Sequence, residues 1–323
     1  MPVDLLSTDQ AQALYMDLPG SGQIPSLSPQ ISRITCGALA EGSIVHLVSH
    51  DSFGFVMNTV IEDTVPGTDL RDWQAPYNYG GVLVTGPRTP ERWAPLAHAA
   101  RDRGVIAEFH RFHPLNDTAS LRRDHTWLDR ETVAIPVSSS LGPLSTFKPS
   151  AVGAVRKAIK NGLVIREAGL REGSFPKRYR ALMQSKGARD ELLFDDAYFE
   201  ELGRLESVKV LEAVVDDQTV GSIIILVGPE IAEYHLGESD EVGRTLGATN
   251  LLLSSAVGLV QRLGCKWLFL GGGTTSDPEN SLLRFKLSLS DHRAANIIGG
   301  TVYDDLYYEL ERLSPSRFLH YRP

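Results

Sequence analysis

Three apolar segments, VKVLEAVVD (208–216), VGSIIILVG (220–228) and IAEYHLGES (231–239), stand one after another, and NLLLSSAVGLVQRLG (250–264) and KWLFL (266–270) follow them. The first three are rich in β-branched residues and separated by turn-sized gaps, which predicts an antiparallel meander. The fourth is too long for a strand, and the short apolar run after it predicts a helical crossover into a parallel strand. A meander followed by β-α-β makes a mixed sheet with helices packed on its faces, so the expected fold class is α/β, of the α+β mixed-sheet kind.

Working outward, NSLLRFKLSL (280–289) reads as a helix, RAANIIGGTVY (293–303) as a strand, and a terminal helix is expected around Leu306 to Leu313. Upstream lie a strand, LVIREA (163–168), and helices through Lys177 to Met183 and Tyr198 to Leu205. Before them, Ser150 can cap a helix through AVGAVRKAIK, with Val152, Val155 and Ile159 on one face and Arg156, Lys157 and Lys160 elsewhere. Asn161-Gly162 stops it. Ahead of this half come a polar N-terminal region, strands SIVHLV (43–48) and GFVMNTV (54–60), a helix at Pro90 to Arg103, a strand VIAEFHRF (105–112) and another near Thr132 to Val137. These are similar pieces in shorter form. A chain of 323 residues is long for one core, so two domains are expected, 1–145 and 146–323.

Composition narrows the function classes. Hydrophobic residues make up 42% and charged residues 22%, the ordinary globular range. Cys36 and Cys265 are the two cysteines, with no CxxC pair and no Cys/His cluster, so neither zinc nor a disulfide framework is expected. MPVDLLSTDQ lacks a basic start followed by an apolar run, and no stretch is long enough to span a membrane, so a cytoplasmic protein is expected. The net charge of −8 argues against DNA coating, yet residues 148–189 hold eleven Lys or Arg and two acids, Glu167 and Glu172, leaving −17 for the remainder. That segment is either a phosphate-binding strip or a pair of helices with solvated polar faces.

Chemistry concentrates around the crossover. The order of elements resembles an acetyltransferase crossover, which implies that the parallel strands, here EYHL (233–236) and KWLFL, splay apart, that backbone groups at the split bind a carbonyl, and that the helix N-terminus beyond faces a phosphate. Gly243 to Asn250, read as the turn into that helix, resembles the acetyltransferase (GNAT) pyrophosphate loop Arg/Gln-x-x-Gly-x-Gly/Ala, departing at Thr249. Gly271-Gly272-Gly273 ends the second strand, where α/β units commonly bind ligands. It is either a tight turn or a close approach to a ligand.

The run from Tyr234 to Gly273, the following LLRFKLSLS, the segment Tyr77-Asn78-Tyr79-Gly80-Gly81 and EFHRFHPL (108–115) together resemble the FemABX-type and BioF-like acyltransferases of the GNAT superfamily, over roughly residues 40 to 310. The resemblance implies two GNAT-like halves, the first on the acceptor side and the second on the donor and catalytic side. Phe285-Lys286 matches the family's Phe-Lys pair, so Lys286 is expected beside the reacting carbonyl, where its ammonium stabilises the tetrahedral oxygen. Backbone N–H groups near Leu236 or Gly237 are further oxyanion donors. Donor contacts are expected from Arg244, Gly247, Ala248, Thr249, Asn250, Gly271, Gly272 and Phe285, and acceptor contacts from Tyr77, Tyr79, Arg156 and Tyr234. Arg156 suits a phosphorylated acceptor, because guanidinium pairs with phosphate in a bidentate fashion.

Other titratable groups read as structural. His235 alternates with Tyr234, so the two face opposite sides of a strand; His110 and His113 are assigned by strand spacing to opposite faces, which disfavours a metal; Asp277 and Glu279 suit a helix N-terminus, the alternative being that they accept a proton from an incoming ammonium. The leading expectation is amide formation, moving an aminoacyl group from aminoacyl-tRNA to an amine of a small metabolite, nucleotide sugar or cell-wall precursor. An acyl-coenzyme A donor is the alternative, and a non-catalytic nucleotide- or peptide-binding module the second class. No tightly bound cofactor and no metal are expected.

Overall fold

The strands run β1 (Val3–Leu6), β2 (Ser43–Asp51), β3 (Gly54–Thr64), β4 (Arg71–Gln74), β5 (Gly81–Val84), β6 (Val105–Arg111) and β7 (His125–Pro136). They continue with β8 (Val164–Ala168), β9 (Val208–Val215), β10 (Gln218–Val227), β11 (Ile231–Ser239), β12 (Trp267–Gly272) and β13 (Arg293–Val302). The helices are α1 (Thr8–Met16), α2 (Pro29–Leu39), α3 (Pro90–Asp102), α4 (Pro149–Lys160), α5 (Phe175–Ser185), α6 (Asp196–Leu202), α7 (Glu241–Leu246), α8 (Ala248–Arg262) and α9 (Ser281–Leu287). This is a computed structural model that describes residues 2–39, 42–77, 79–121, 125–171, 173–189, 192–314 and 316–322.

Two units emerge, one of residues 1–129 and 295–323, the other of residues 130–294. This differs from a single cut at 145/146, and strand pairing is the reason. From Ala295 onward the chain belongs to the first unit, where β13 pairs antiparallel with β6 from Ile298↔Arg111 to Val302↔Ala107. The part of β7 from Thr132 to Pro136 pairs antiparallel with β12 in the second unit. Each unit therefore takes its last strand from a segment that a linear division assigns to the other half.

With that exchange the units share one topology. In the first the order is β1-β2-β3-β4-β6-β13, and in the second β8-β9-β10-β11-β12-β7. Each is four antiparallel strands, one parallel pair and a final antiparallel strand. The crossover helix between the parallel strands is α3 in one unit and α8 in the other.

Local chemistry explains the elements. Asp216 and Asp217 both take positive φ, 47° and 59°, which makes the tight β9–β10 hairpin. Asp195 caps α6 through the N–H of Tyr198, and Asn280 caps α9 through Leu282 and Leu283. α8 packs Leu252, Ala256 and Val260 against Ala213, Ile223 and Leu268 in the core of the second unit. The buried face of α4 is Ala151, Val155 and Ala158, whereas Ile159 is exposed. The two alanines centre the contact stripe and put Ile159 at its edge.

Two other expectations change. The polar N-terminal region, for which the sequence predicts no element, forms β1 and α1, the latter with a capping box between Ser7 and Gln10, and then α2. The expected terminal helix is one 3-10 segment, Asp305–Glu309.

Candidate active site

In the second unit β11 and β12 pair in parallel at three positions, Ile231↔Trp267, Ala232↔Leu268 and Glu233↔Phe269, and there the ladder ends. Beyond it, each strand stays with its outer neighbour. Against β10, Ile224 faces Leu236 and Ile225 faces Tyr234, so His235 is an extra residue. Against β7, Phe269 faces Ala134 and Gly271 faces Val133, so Leu270 is extra. A bulge bends and twists its strand, and one on each side of the separation opens a wedge. Leu236 and Gly237 lie on its β11 side and Gly271 and Gly272 on its β12 side.

Lys286 occupies this wedge. It is 6% exposed, and its Nζ donates to Gly272 O at 2.7 Å, its one hydrogen-bond acceptor among the described residues. An ammonium has three donors, so two remain for a ligand. Nζ lies 5.9 Å from the ring centroid of Tyr234. Burial pulls the Lys286 pKa down to about 8. Gly271 takes φ +72°, a backbone conformation that favours glycine, and lies against the ammonium, a Cβ there standing at a contact distance of 3.5 Å from Nζ. Phe285, partly buried, packs on the core and fixes the helix that carries Lys286.

Tyr234 lies over Gly237, where a Cβ would come within 2.1 Å of its hydroxyl. Burial, then the charge of Glu238, raises this phenol to about 12. His235 points instead to Tyr198, whose Oη lies 2.5 Å from Nε2, and burial lowers its pKa to about 4. Tyr198 and the Arg178–Glu238 pair had no local signal, because their partners are 37 and 60 positions away.

The expected loop holds a helical turn of its own. α7 closes on Gly247, which takes φ 84° and both ends α7 and begins α8, with no side-chain cap on the latter. Ala248 is buried, while Thr249 and Asn250 are half-buried in the first turn of α8. Arg244 is exposed and donates to Ser239 O at 2.7 Å. A Cβ on Gly247 would lie 2.9 Å from Ala154 O on α4. Gly247→Ala is therefore expected to cost about 1–2 kcal/mol, read as a lower midpoint in chemical denaturation; an unchanged midpoint would show that α4 can retreat.

Among the described residues, four of the eleven basic side chains of the segment pair with acids. Lys148 pairs with Asp291, Arg166 with Glu212, Arg178 with Glu238 and Asp240, and Arg180 with Asp196. Lys157 donates to Thr245 O, while Arg156 and Lys160 are exposed on α4. Acids from outside the segment thus neutralise four of its cations. Asp277 and Glu279 are exposed in the turn before α9, where Asp277 accepts from the N–H of Glu279.

The first unit treats the corresponding place differently. β4 and β5 share one edge of β3, so residues 75–80 interrupt what is the single strand β11 in the second unit. This excursion runs along β6: Ala75 N donates to Phe109 O and Gly80 N to Arg111 O. Tyr79 meets His113 edge-on at 4.7 Å, Tyr77 is half-buried beside it in sequence, and Asn78 lies outside the described residues. The last parallel pair is Gln74↔Phe109, as Glu233↔Phe269 is in the second unit, so Glu108 and His110 correspond to Leu268 and Leu270. Both are buried: Glu108 accepts from Asn58 and Tyr303, and His110 lies 3.2 Å from Glu108 and 2.9 Å from Thr301. β6 ends at Arg111, so strand alternation does not reach His113. Among the described residues no cluster of His, Cys, Asp or Glu suits a metal, and no helix is long and apolar enough to cross a membrane.

No protein-family model matches the chain, and no curated protein is detectably similar in sequence. Solved structures are similar in fold. FemX aligns with TM-score 0.70 at 12% identity, over 96% of this chain and 99% of that one. The C-terminal domain of a protein described as a lysylphosphatidylglycerol synthetase, from Agrobacterium fabrum, gives 0.61 at 11% identity, over 93% and 92%. A tandem GNAT protein from the clavulanic acid biosynthesis pathway gives 0.53 at 12%, over 94% and 99%.

Proposed function

From a two-unit GNAT fold shared with FemX and a tandem GNAT protein, we propose that this protein is an acyltransferase that joins an aminoacyl group, delivered as aminoacyl-tRNA, to a primary amine. The observation that carries the reading is the buried ammonium of Lys286 in the β11–β12 wedge, with two donors to spare.

An aminoacyl ester is already activated, so the chain has to position it and stabilise charge. The amine nitrogen attacks the carbonyl carbon, the C–N bond forms, and the carbonyl oxygen becomes negative beside Lys286 Nζ and the backbone near Leu236 and Gly237. Collapse breaks the ester C–O bond; the ribose oxygen leaves as a hydroxyl by taking up the proton that the attacking nitrogen gives up, and an amide remains. The nucleophile must first lose a proton, and Tyr234, with a pKa near 12, is a donor in this setting, not a base. Gly271 and Gly272 line the donor side, and Arg244 with the first turn of α8 faces the donor's phosphates.

A second reading, an acyl-coenzyme A donor, is favoured by the Gly247 turn, which leaves the α8 N-terminus without a side-chain cap. Purified protein is to be incubated with pooled amines and either charged tRNA or acyl-coenzyme A. Amide product that disappears on ribonuclease treatment is expected; product from the coenzyme A donor alone would transfer the assignment to the second reading, and product from neither would leave the binding-module class.

A further inference from the structure

One register line across the second unit is polar from edge to split. Arg166 on β8 faces Glu212 on β9, Glu212 faces Ser222 on β10, and Ser222 faces Glu238 on β11. Residues in register across adjacent strands share a face. The three inner members are buried, at 3%, 0% and 5% exposure.

The outer arginines satisfy only half of each carboxylate. Arg166 and Thr219 both engage Glu212 Oε2, and Arg178 engages Glu238 Oε1 while also reaching Asp240. Among the described residues Glu212 Oε1 and Glu238 Oε2 accept no hydrogen bond, and the Ser222 hydroxyl between them has no partner. The Ser222 hydroxyl is the buried one of the three, and a buried hydroxyl without a partner costs free energy unless a ligand group sits beside it. The groups offered are all oxygens, two of them anionic.

We propose that the Glu212–Ser222–Glu238 line is a binding site for a primary ammonium group, the one the acceptor carries before it loses the proton that frees its nitrogen to attack. Three N–H donors match three oxygen acceptors. Glu238 lies two residues beyond Leu236 on β11, which puts its backbone about 7 Å along the strand from that at the split. The site rests on the transferase reading for the identity of its occupant, but not for its existence.

The test is a titration of the full chain with methylammonium chloride, read as melting temperature. Tetramethylammonium, sodium and potassium chlorides at matched ionic strength are the controls. A saturable rise specific to methylammonium is expected. Ser222→Ala removes only the orphan hydroxyl, so without ligand it should melt at or above the wild-type temperature, while its apparent Kd for methylammonium weakens by about tenfold or more. No methylammonium-specific rise, an unchanged Kd in Ser222→Ala, or an equal rise with sodium or potassium would each overturn the proposal. Because no donor is present, a persisting rise in a protein that transfers nothing from any donor would sink the transferase reading and leave the site.

Discussion

Lys286→Met is expected to lower kcat by about 100- to 1,000-fold with KM changed far less, the cost of removing one donor to a developing oxyanion. The acceptor and donor still bind, since Met fills the space of the lysine stem. Rate against pH provides the second signature. With a pKa of about 8, Lys286 is charged at pH 7 and loses its proton as pH rises, so wild-type activity should fall along an alkaline limb near 8. The Met variant should lack that limb. Stability moves the other way: the pKa is about 8 in the fold against 10.5 unperturbed, so between those values the unfolded chain holds the proton more tightly and stability rises with pH. A variant with near-normal kcat, or one that keeps the limb, would remove Lys286 from the chemistry.

The largest stability effect should come from the end of the chain. In the first unit Arg322 holds both oxygens of Asp72 at 2.8 Å, reaches Asp63 at 2.9 Å and donates to Thr64 O. Asp72 is wholly buried, and burial keeps its carboxyl above the ordinary range even with the guanidinium attached. Arg322→Ala would strand this carboxylate, and breaking a buried pair from one side costs about 3–5 kcal/mol. The carboxyl would then rise further, so the folded state favours the protonated acid and the loss grows as pH increases from 4 to 8. Denaturation midpoints at the two pH values measure this. Asp72→Asn combined with Arg322→Ala should recover part of the loss, because a neutral amide leaves no buried charge. An Arg322→Ala protein as stable as wild type at pH 8 would show that water reaches Asp72.

The two variants probe parts of the molecule that were unequally legible. Lys286 could be singled out because Phe285-Lys286 matches the Phe-Lys pair of the family that the sequence resembles, and a motif of two adjacent residues survives in one dimension. Arg322 could not: its partners are 250 and more positions away, and nothing near the C-terminus announces a buried aspartate. Arg156, Lys157 and Lys160 were visible as charge, but which basic side chains are already neutralised depends on acids as distant as Asp291, Glu238 and Asp240.

By itself the sequence determined the meander, the crossover helix, the strand that follows it and the lysine-bearing helix, because strand and helix periods and their turn residues are set by neighbours a few positions apart. Tertiary structure alone decided three things. It exchanged the last strands, it opened the wedge by placing one extra residue on each parallel strand, and it aligned Glu212, Ser222 and Glu238 across three strands. Each depends on register between segments far apart in the chain, and a shift of one residue, which leaves the local pattern untouched, turns every side chain of a strand to its other face.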